Sequence, residues 1–488
     1  MKHSTIFRFS YFILPLLLLY ITSCTKALEE SPKSLSAEGF YNTKSEVEAA
    51  TYAIYSPLRT GGSMSAFYEV FHDALSDFFI PNGSWIPLED YTGLDNTNYG
   101  RTEAFWKSFY LSIRNANLVI KNTPNGTDIS DADKAVYIAE ARFMRALMYF
   151  QLVRNWGGVP IRTEANMDIP DLQRGSVEAV YQLIEDDLKF AGENLPTKAA
   201  QSGRPNKWSA KAVLADTYLQ LKRYTDAQDR ANEVIQSGQF SLVPVTQPDD
   251  FLNLYGPDVI TSSEEIFYLK FTRQNGQGFQ LTLYEAHPNT PYANGAGYFS
   301  LYTDPTKIAV VKNWDANDLR KQYDLYPWQF GRGDSTYLVR KFQDKQALPG
   351  GTGGNDYPWY RYADVLMTYA EAANAANHGP TTAAVEALNK VHRRAYGYPA
   401  NTASPVDFKV ADYNESSFLT LIVKERGYET LFEGKRWMEL KRLGIAKDYI
   451  KASKGKTMAD VMLLWPIPNA EINYNKALDP VADQNPGY

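Results

Sequence analysis

Three carboxylates spaced four residues apart, Glu425, Glu429 and Glu433, lie among Arg426, Arg436 and Arg442. That spacing puts all three on one face of a helix. Glycoside cleavage needs two carboxyls facing one another across a sugar, roughly 5 Å or 6.5–9.5 Å apart. Carboxylates stacked along one helix cannot bracket a substrate in that way. They are expected instead to pair with guanidinium groups on other helices, with Arg142, Arg145 and Arg361 as candidate partners. Such a lattice positions helices without necessarily adding net stability.

Other reactive chemistry finds little support. The histidines His3, His72, His287, His378 and His392 are scattered, with no His-Glu-x-x-His pair and no cysteine ligands nearby. Asp128, Asp131 and Asp133 form an acidic cluster, but the glycine and glutamate of a calcium loop are missing. No glycine-rich phosphate loop and no Gly-x-Ser-x-Gly elbow occurs. The Arg-Gly-Asp within Gly331–Asp334 is a three-residue match that chance supplies often. We therefore expect no catalytic residues, no metal site and no cofactor. A formal charge of −6 without a basic block argues against nucleic-acid binding.

What remains is binding by rings. The chain carries 34 Tyr, 24 Phe and 9 Trp, and most of these must fill a core. Those left in loops can stack on the flat C–H faces of sugars, while side-chain amides and arginines reach the hydroxyls. Two irregular, Pro-, Gly- and Asn-rich regions hold such a mixture, near 77–100 and 241–354. The first supplies Asn82, Trp85, Tyr91 and Tyr99, and the second Tyr298, Tyr302, Trp314 and Trp328. These eight are the candidate ligand-binding residues, with Trp85 and Trp314 foremost.

The elements that must hold these loops read as helices. From Ala139 to Ile161, Ala139, Phe143, Ala146, Leu147, Phe150 and Val153 make an apolar stripe, and Met144, Met148 and Leu152 fill much of the other side. A helix apolar nearly all round belongs in a core, and Arg142, Arg145 and Arg154 on it need partners. Gly157, Gly158 and Pro160 end it. Helices are also expected from Glu46 to Ile54, with Thr43 or Ser45 as cap, from Phe105 to Ile120 and from Val177 to Leu195. Trp208 to Gln236 and Ala363 to Val391 each read as a helical pair with tetratricopeptide-like spacing. Short strands are expected at Glu265–Phe271 and Tyr337–Phe342. The fold class is mostly α: a TPR-like helical-repeat scaffold with irregular loop excursions and a few short strands.

The N-terminus reads as processing signal. Lys2, His3 and Arg8 precede an apolar run from Tyr11 to Ile21, and Ile21-Thr22-Ser23-Cys24 resembles a lipoprotein cleavage box. The run is short for a membrane span and is broken by Pro15. Cys24, the chain's only cysteine, is expected to be a lipid acceptor. Several acyl chains, at about 0.8 kcal/mol per buried CH₂, would hold the protein on a membrane. Residues 1–23 are then a signal peptide, 24–36 a lipidated tether and 37–488 a single domain.

Motifs spread over the chain carry a resemblance. Residues 139–150 read Ala-Glu-x-Arg-Phe-x-Arg-Ala-x-x-Tyr-Phe and lead into Gly157-Gly158-Val159-Pro160. RYADVLMTYAEAA follows at 361–373, LNKVHRRAYG at 388–397 and ERGYETLFEGKRW at 425–437. Trp465-Pro466-Ile467-Pro468 and the closing Gln484-Asn485-Pro486-Gly487-Tyr488 complete the set. This order resembles the SusD/RagB family of outer-membrane nutrient-binding lipoproteins, with mild departures at Thr430 and Glu439. The resemblance implies a lipid-anchored protein at the cell outer membrane, exposed on the surface. It also implies a glycan ligand and a SusC-like TonB-dependent transporter as partner. The family's ligand-contacting aromatics lie outside its motifs, so the eight candidates rest on their own chemistry. Rival readings are a peptide or glycoprotein ligand on the same scaffold, a glycoside hydrolase, and a helical adaptor that binds only protein.

Overall fold

Thr43 opens the first helix by a reciprocal cap. Its hydroxyl accepts the Glu46 backbone N–H, and the Glu46 carboxylate accepts the Thr43 N–H at 2.8 Å. The chain is described here from a computed structural model covering residues 40–60, 62–350 and 352–488. The expected signal peptide 1–23, Cys24 and the tether 24–36 lie outside the described residues.

The longer helices are α1 (Lys44–Tyr55), α2 (Phe67–Ala74), α3 (Asn96–Asn122), α4 (Asp131–Trp156), α5 (Val177–Asn194) and α6 (Lys207–Gln220). They continue with α7 (Tyr224–Gln236), α8 (Tyr362–Ala376), α9 (Thr382–Ala395), α10 (Glu415–Glu429), α11 (Arg436–Leu443) and α12 (Ala446–Lys454). From α3 to α9 each of these packs against the next, so α6/α7 and α8/α9 are the expected helical pairs within one continuous stack. The expected class, mostly α with helical pairs and few strands, is the one observed. α3 begins at Asn96, capped by Asp95, nine residues before the expected Phe105. Much of the loop near 77–100 is therefore a 3₁₀ turn, Gly83–Asp90, leading into that helix.

The strands are short: β1 (Ile80–Pro81), β2 (Glu265–Leu269), β3 (Leu301–Tyr302), β4 (Leu325–Pro327), β5 (Tyr337–Val339) and β6 (Tyr357–Arg361). They form antiparallel pairs β1–β3, β2–β6 and β4–β5. The second and third of these place the 241–354 excursion against the scaffold and against itself.

α4 is buried over most of its length, as its apolar girth requires. Its end is tied to the C-terminus. The Trp156 indole donates to the Pro466 carbonyl at 2.9 Å and packs edge-on to Trp465, centroids 4.9 Å apart. Asn485 donates to the carbonyls of both Trp156 (2.9 Å) and Trp465 (2.7 Å). The turn that follows needs glycine, because a Cβ on Gly158 would collide with the Gly175 carbonyl.

The carboxylate row on α10 sits in a buried ionic lattice. Glu429 binds Arg361 at 2.7 Å and also Arg394; Glu433, just past the helix, binds Arg361 and Lys341, each at 2.8 Å. Glu425 binds Arg320 at 2.9 Å and His392 at 3.1 Å. Of the three expected partners only Arg361 takes part. Arg145 pairs with Asp187 at 2.7 Å and with Glu164, and Arg142 lies 3.9 Å from Asp187, because α5 packs directly on that face of α4. Glu264 and Glu371 join the arginines of the lattice from β2's leading edge and from α8.

These pairs have a titration signature. Burial resists ionisation of Glu371, Glu425 and Glu429, yet their guanidinium neighbours outweigh it and hold each carboxyl at about 2. Asp73 and Asp324 sit in the same core with weaker compensation: burial lifts them to about 8 and about 7. A lowered carboxyl contributes stability above its unfolded pKa that is lost as pH falls through the folded value. A raised one contributes stability below its unfolded pKa that is lost as pH rises through the folded value. Stability is therefore expected to fall on both sides of a maximum at about pH 4.5. Asp73→Asn, which keeps an acceptor for the Gly434 N–H, should flatten the alkaline decline in melting temperature between about pH 5 and 9 when followed by calorimetry. An unchanged decline would assign the titration to another group.

Candidate functional site

The two irregular regions meet at the β1–β3 pair, whose residues are more than two hundred positions apart in sequence. Ile80 opposes Tyr302 and Pro81 opposes Leu301. Asn82 extends the pairing: its N–H donates to the Ser300 carbonyl at 2.7 Å and its amide to the Phe299 carbonyl at 3.3 Å. The Arg332 guanidinium in turn donates to the Asn82 side-chain oxygen at 2.8 Å. One asparagine thus ties together three loop segments.

Around this knot lies a patch of rings. Tyr298 is 58% exposed and packs beside half-buried Tyr284, centroids 5.3 Å apart. Phe299 adopts a left-handed backbone with φ +35°, which turns its ring onto His287 at 4.7 Å and Phe330 at 5.2 Å. Half-buried Trp328 stands 5.7 Å from His287, and its buried indole N–H has no hydrogen-bond partner. The segment from Tyr298 to Ser300 is held by main-chain bonds to the short helix Leu281–Glu285 and the residue after it: Tyr298 to Leu283 at 2.6 Å, Phe299 to Ala286 at 3.0 Å and Ser300 to Tyr284 at 2.9 Å.

The eight sequence candidates divide. Asn82, Tyr298 and Trp328 belong to this patch, Asn82 as its buried tie and the other two as its faces. Tyr302 is 8% exposed and supports Phe330 from below at 5.4 Å. The rest are corrected by their burial or bonding. Trp85, expected to lead, is 2% exposed, edge-on to Phe67 at 5.6 Å, with the Arg101 guanidinium 3.5 Å from its ring centroid. Arg101 also donates to Ser84 Oγ at 2.6 Å, so it closes over the indole like a cover. Trp314, also 2% exposed, is stacked on Tyr428 at 4.3 Å and donates to Asp318 at 2.9 Å. Tyr91 is fully buried and binds the Lys454 amine at 3.0 Å. Tyr99 accepts the Asn469 N–H at 2.8 Å and so fastens the C-terminal segment.

The patch also contains residues the sequence did not single out for binding: Tyr284, His287, Phe299, Phe330, Arg101 and Arg332. Arg332 belongs to the Arg-Gly-Asp triplet, and His287 is one of the scattered histidines. Among the described residues no group of acidic, histidine or cysteine side chains has the grouping of a metal site. The arrangement offers flat rings and two guanidinium groups, one of them held by the buried Asn82 amide, and it offers them already in place.

Comparison with known proteins bears on this geometry. A model of the SusD family matches residues 286–488, and one described as starch-binding and associating with the outer membrane matches 26–219. The chain is 28% identical to SusD-like protein P2 of Formosa agariphila, over 97% of this chain and 98% of that one. Its fold resembles a SusD homolog from Bacteroides thetaiotaomicron with a TM-score of 0.79 at 21% identity, covering 94% of this chain and all of the other (100%). It also resembles surface glycan-binding protein A of the same organism, solved with laminarihexaose, with a TM-score of 0.74 at 20% identity, covering 91% and 99% of the two chains.

The two tryptophans should separate in the laboratory. Trp85→Ala empties a closed aromatic site and is expected to cost about 3–5 kcal/mol of unfolding free energy. Trp328→Ala, at a half-open position, should cost no more than about 1–2 kcal/mol. Chemical denaturation measures both, and equal costs would mean that Trp328 is as much a core residue as Trp85.

Proposed function

Because this chain belongs to the SusD family, we propose that it captures an oligosaccharide on the ring patch around Tyr284, Tyr298 and Trp328. In this reading residues 37–488 form one domain held at the outer face of the outer membrane by lipid on Cys24. The bound glycan is passed to a SusC-like TonB-dependent transporter. The observation that carries the reading is the convergence of the two loop regions. They present exposed Tyr298 and half-buried Trp328 beside two arginines, Arg101 and Arg332, the second held in place by the buried Asn82 amide. A sugar stacked on such rings finds its hydroxyl partners without any loop having to order first, which lowers the entropic cost of binding. The glycan complex of a structural relative supports a saccharide over a peptide.

The hydrolase reading is disfavoured by the state of the carboxylates that suggested it. Glu425, Glu429 and Glu433 are buried and each is held by at least two cationic or imidazole partners. A carboxyl so engaged neither donates nor accepts a proton near neutral pH. The adaptor reading gives the exposed rings nothing to do.

Screening the purified protein against a polysaccharide panel by affinity electrophoresis or calorimetry identifies the ligand. Tyr298→Ala with Trp328→Ala should then weaken that ligand about 30–1,000-fold, at about 1–2 kcal/mol per lost ring, with the circular dichroism spectrum unchanged. Undiminished binding by the double variant would remove the patch from the mechanism.

A further inference from the structure

An opening lies on another part of the scaffold, where the end of α1 meets two loops. It has a volume of about 550 Å³ and is walled by Tyr52, Tyr55, Arg59, Gln201, Arg204 and Gln277, among others. That is within the range of roughly 300–1,000 Å³ usual for small-ligand sites. Most of its polar groups are already committed. The Tyr52 hydroxyl donates to Gln201 at 2.7 Å and the Tyr55 hydroxyl to Glu140 at 2.6 Å, so both rings are fixed. Arg204 is neutralised by Glu140 and by Glu48 at 2.9 Å, and Lys270 by Glu265 at 2.8 Å and Asp356 at 2.9 Å.

Arg59 is different. Its guanidinium makes one long bond, to the Gln277 carbonyl at 3.3 Å, and lies 5.4 Å from the Phe271 ring centroid. Its buried Nε has no hydrogen-bond partner, and among the described residues no carboxylate forms an ion pair with it. A guanidinium has five donors in a fork that matches an oxyanion. One left half-buried with no carboxylate in contact, the nearby Asp356 being engaged by Lys270, beside fixed rings and amides, is an incomplete pair.

The geometry points to a second saccharide site here, one that takes a uronate: the carboxylate on the Arg59 fork, the ring against Tyr52 and Tyr55, the hydroxyls toward Gln201 and Gln277. It stands apart from the first patch, sharing none of its residues, and its chemistry adds charge selection that the first reading does not contain. Ligands carrying a carboxylate gain a charge-assisted bidentate bond that neutral sugars cannot make. The same chain would then hold an acidic polysaccharide at two points, with the gain in avidity that linkage brings.

Calorimetric titration with tetragalacturonate, and with its neutral methyl ester as control, tests this. Tetragalacturonate is expected to bind the wild-type protein, and to bind still when Tyr298 and Trp328 are both changed to alanine. Arg59→Gln should weaken it about ten-fold or more and Arg59→Lys less, while added salt should weaken only the charged probe. Tyr52→Ala, at a 42% exposed position, provides an independent loss of affinity should Arg59→Gln prove unstable. The proposal is overturned if tetragalacturonate does not bind, if its binding disappears with the Tyr298/Trp328 pair, or if folded Arg59→Gln binds it as tightly as wild type. Failure of the first patch would be read separately, from neutral glycans bound equally well without its rings.

Discussion

The interaction on which the rest of this molecule depends is the pairing of buried charges around Glu429. Arg361, Arg394 and Arg320 converge on that one carboxylate from β6, α9 and the 241–354 excursion. Glu433 adds Lys341, again from the excursion. A buried charge without its partner is costly, of order several kcal/mol, so none of these elements can shift without breaking a pair. The lattice therefore fixes more than neighbouring helices. It fastens a long stretch poor in regular structure to the rigid stack at two interior points, which is what lets that stretch hold rings in place.

Above these anchors the rings are arranged in depth. Trp85, Phe67 and Tyr284 make edge-on contacts with one another, and Tyr284 then meets the exposed Tyr298. Phe330, supported by Tyr302, carries Phe299 in the same way. The buried members set the attitude of the outer ones. A tyrosine standing on a packed tyrosine has already lost most of its rotamer freedom.

Much of the fold was legible in the sequence, and less of the site. Apolar periodicity located α4, α5 and both helical pairs, and Gly157 with Pro160 marked the end of α4. The carboxylate row on α10 announced a lattice and one of its members, Arg361, but not the others. Arg142 and Arg145 share an element with the family motif and were reasonable partners, yet Asp187 on α5 took them. Glu264 and Glu371 were not named because nothing local links them to α10. The same limit governs the aromatics. Trp314 and Trp328 stand in similar loop sequence, and only the stack of Trp314 on Tyr428, more than a hundred residues on, sends one inward. Arg101 and Arg332 were passed over for want of any signal, since their importance lies wholly in what they touch.

The tie made by Asn82 and the β1–β3 pair has a consequence for divergence. Its bonds run to main-chain carbonyls of Phe299 and Ser300, and strand pairing is blind to side-chain identity. Tyr298 and Trp328 contribute outward-facing surface to a frame whose hydrogen bonds they do not supply through their side chains. Substitution there changes the exposed surface while leaving the frame assembled, so the outward rings of this scaffold are free to vary one at a time.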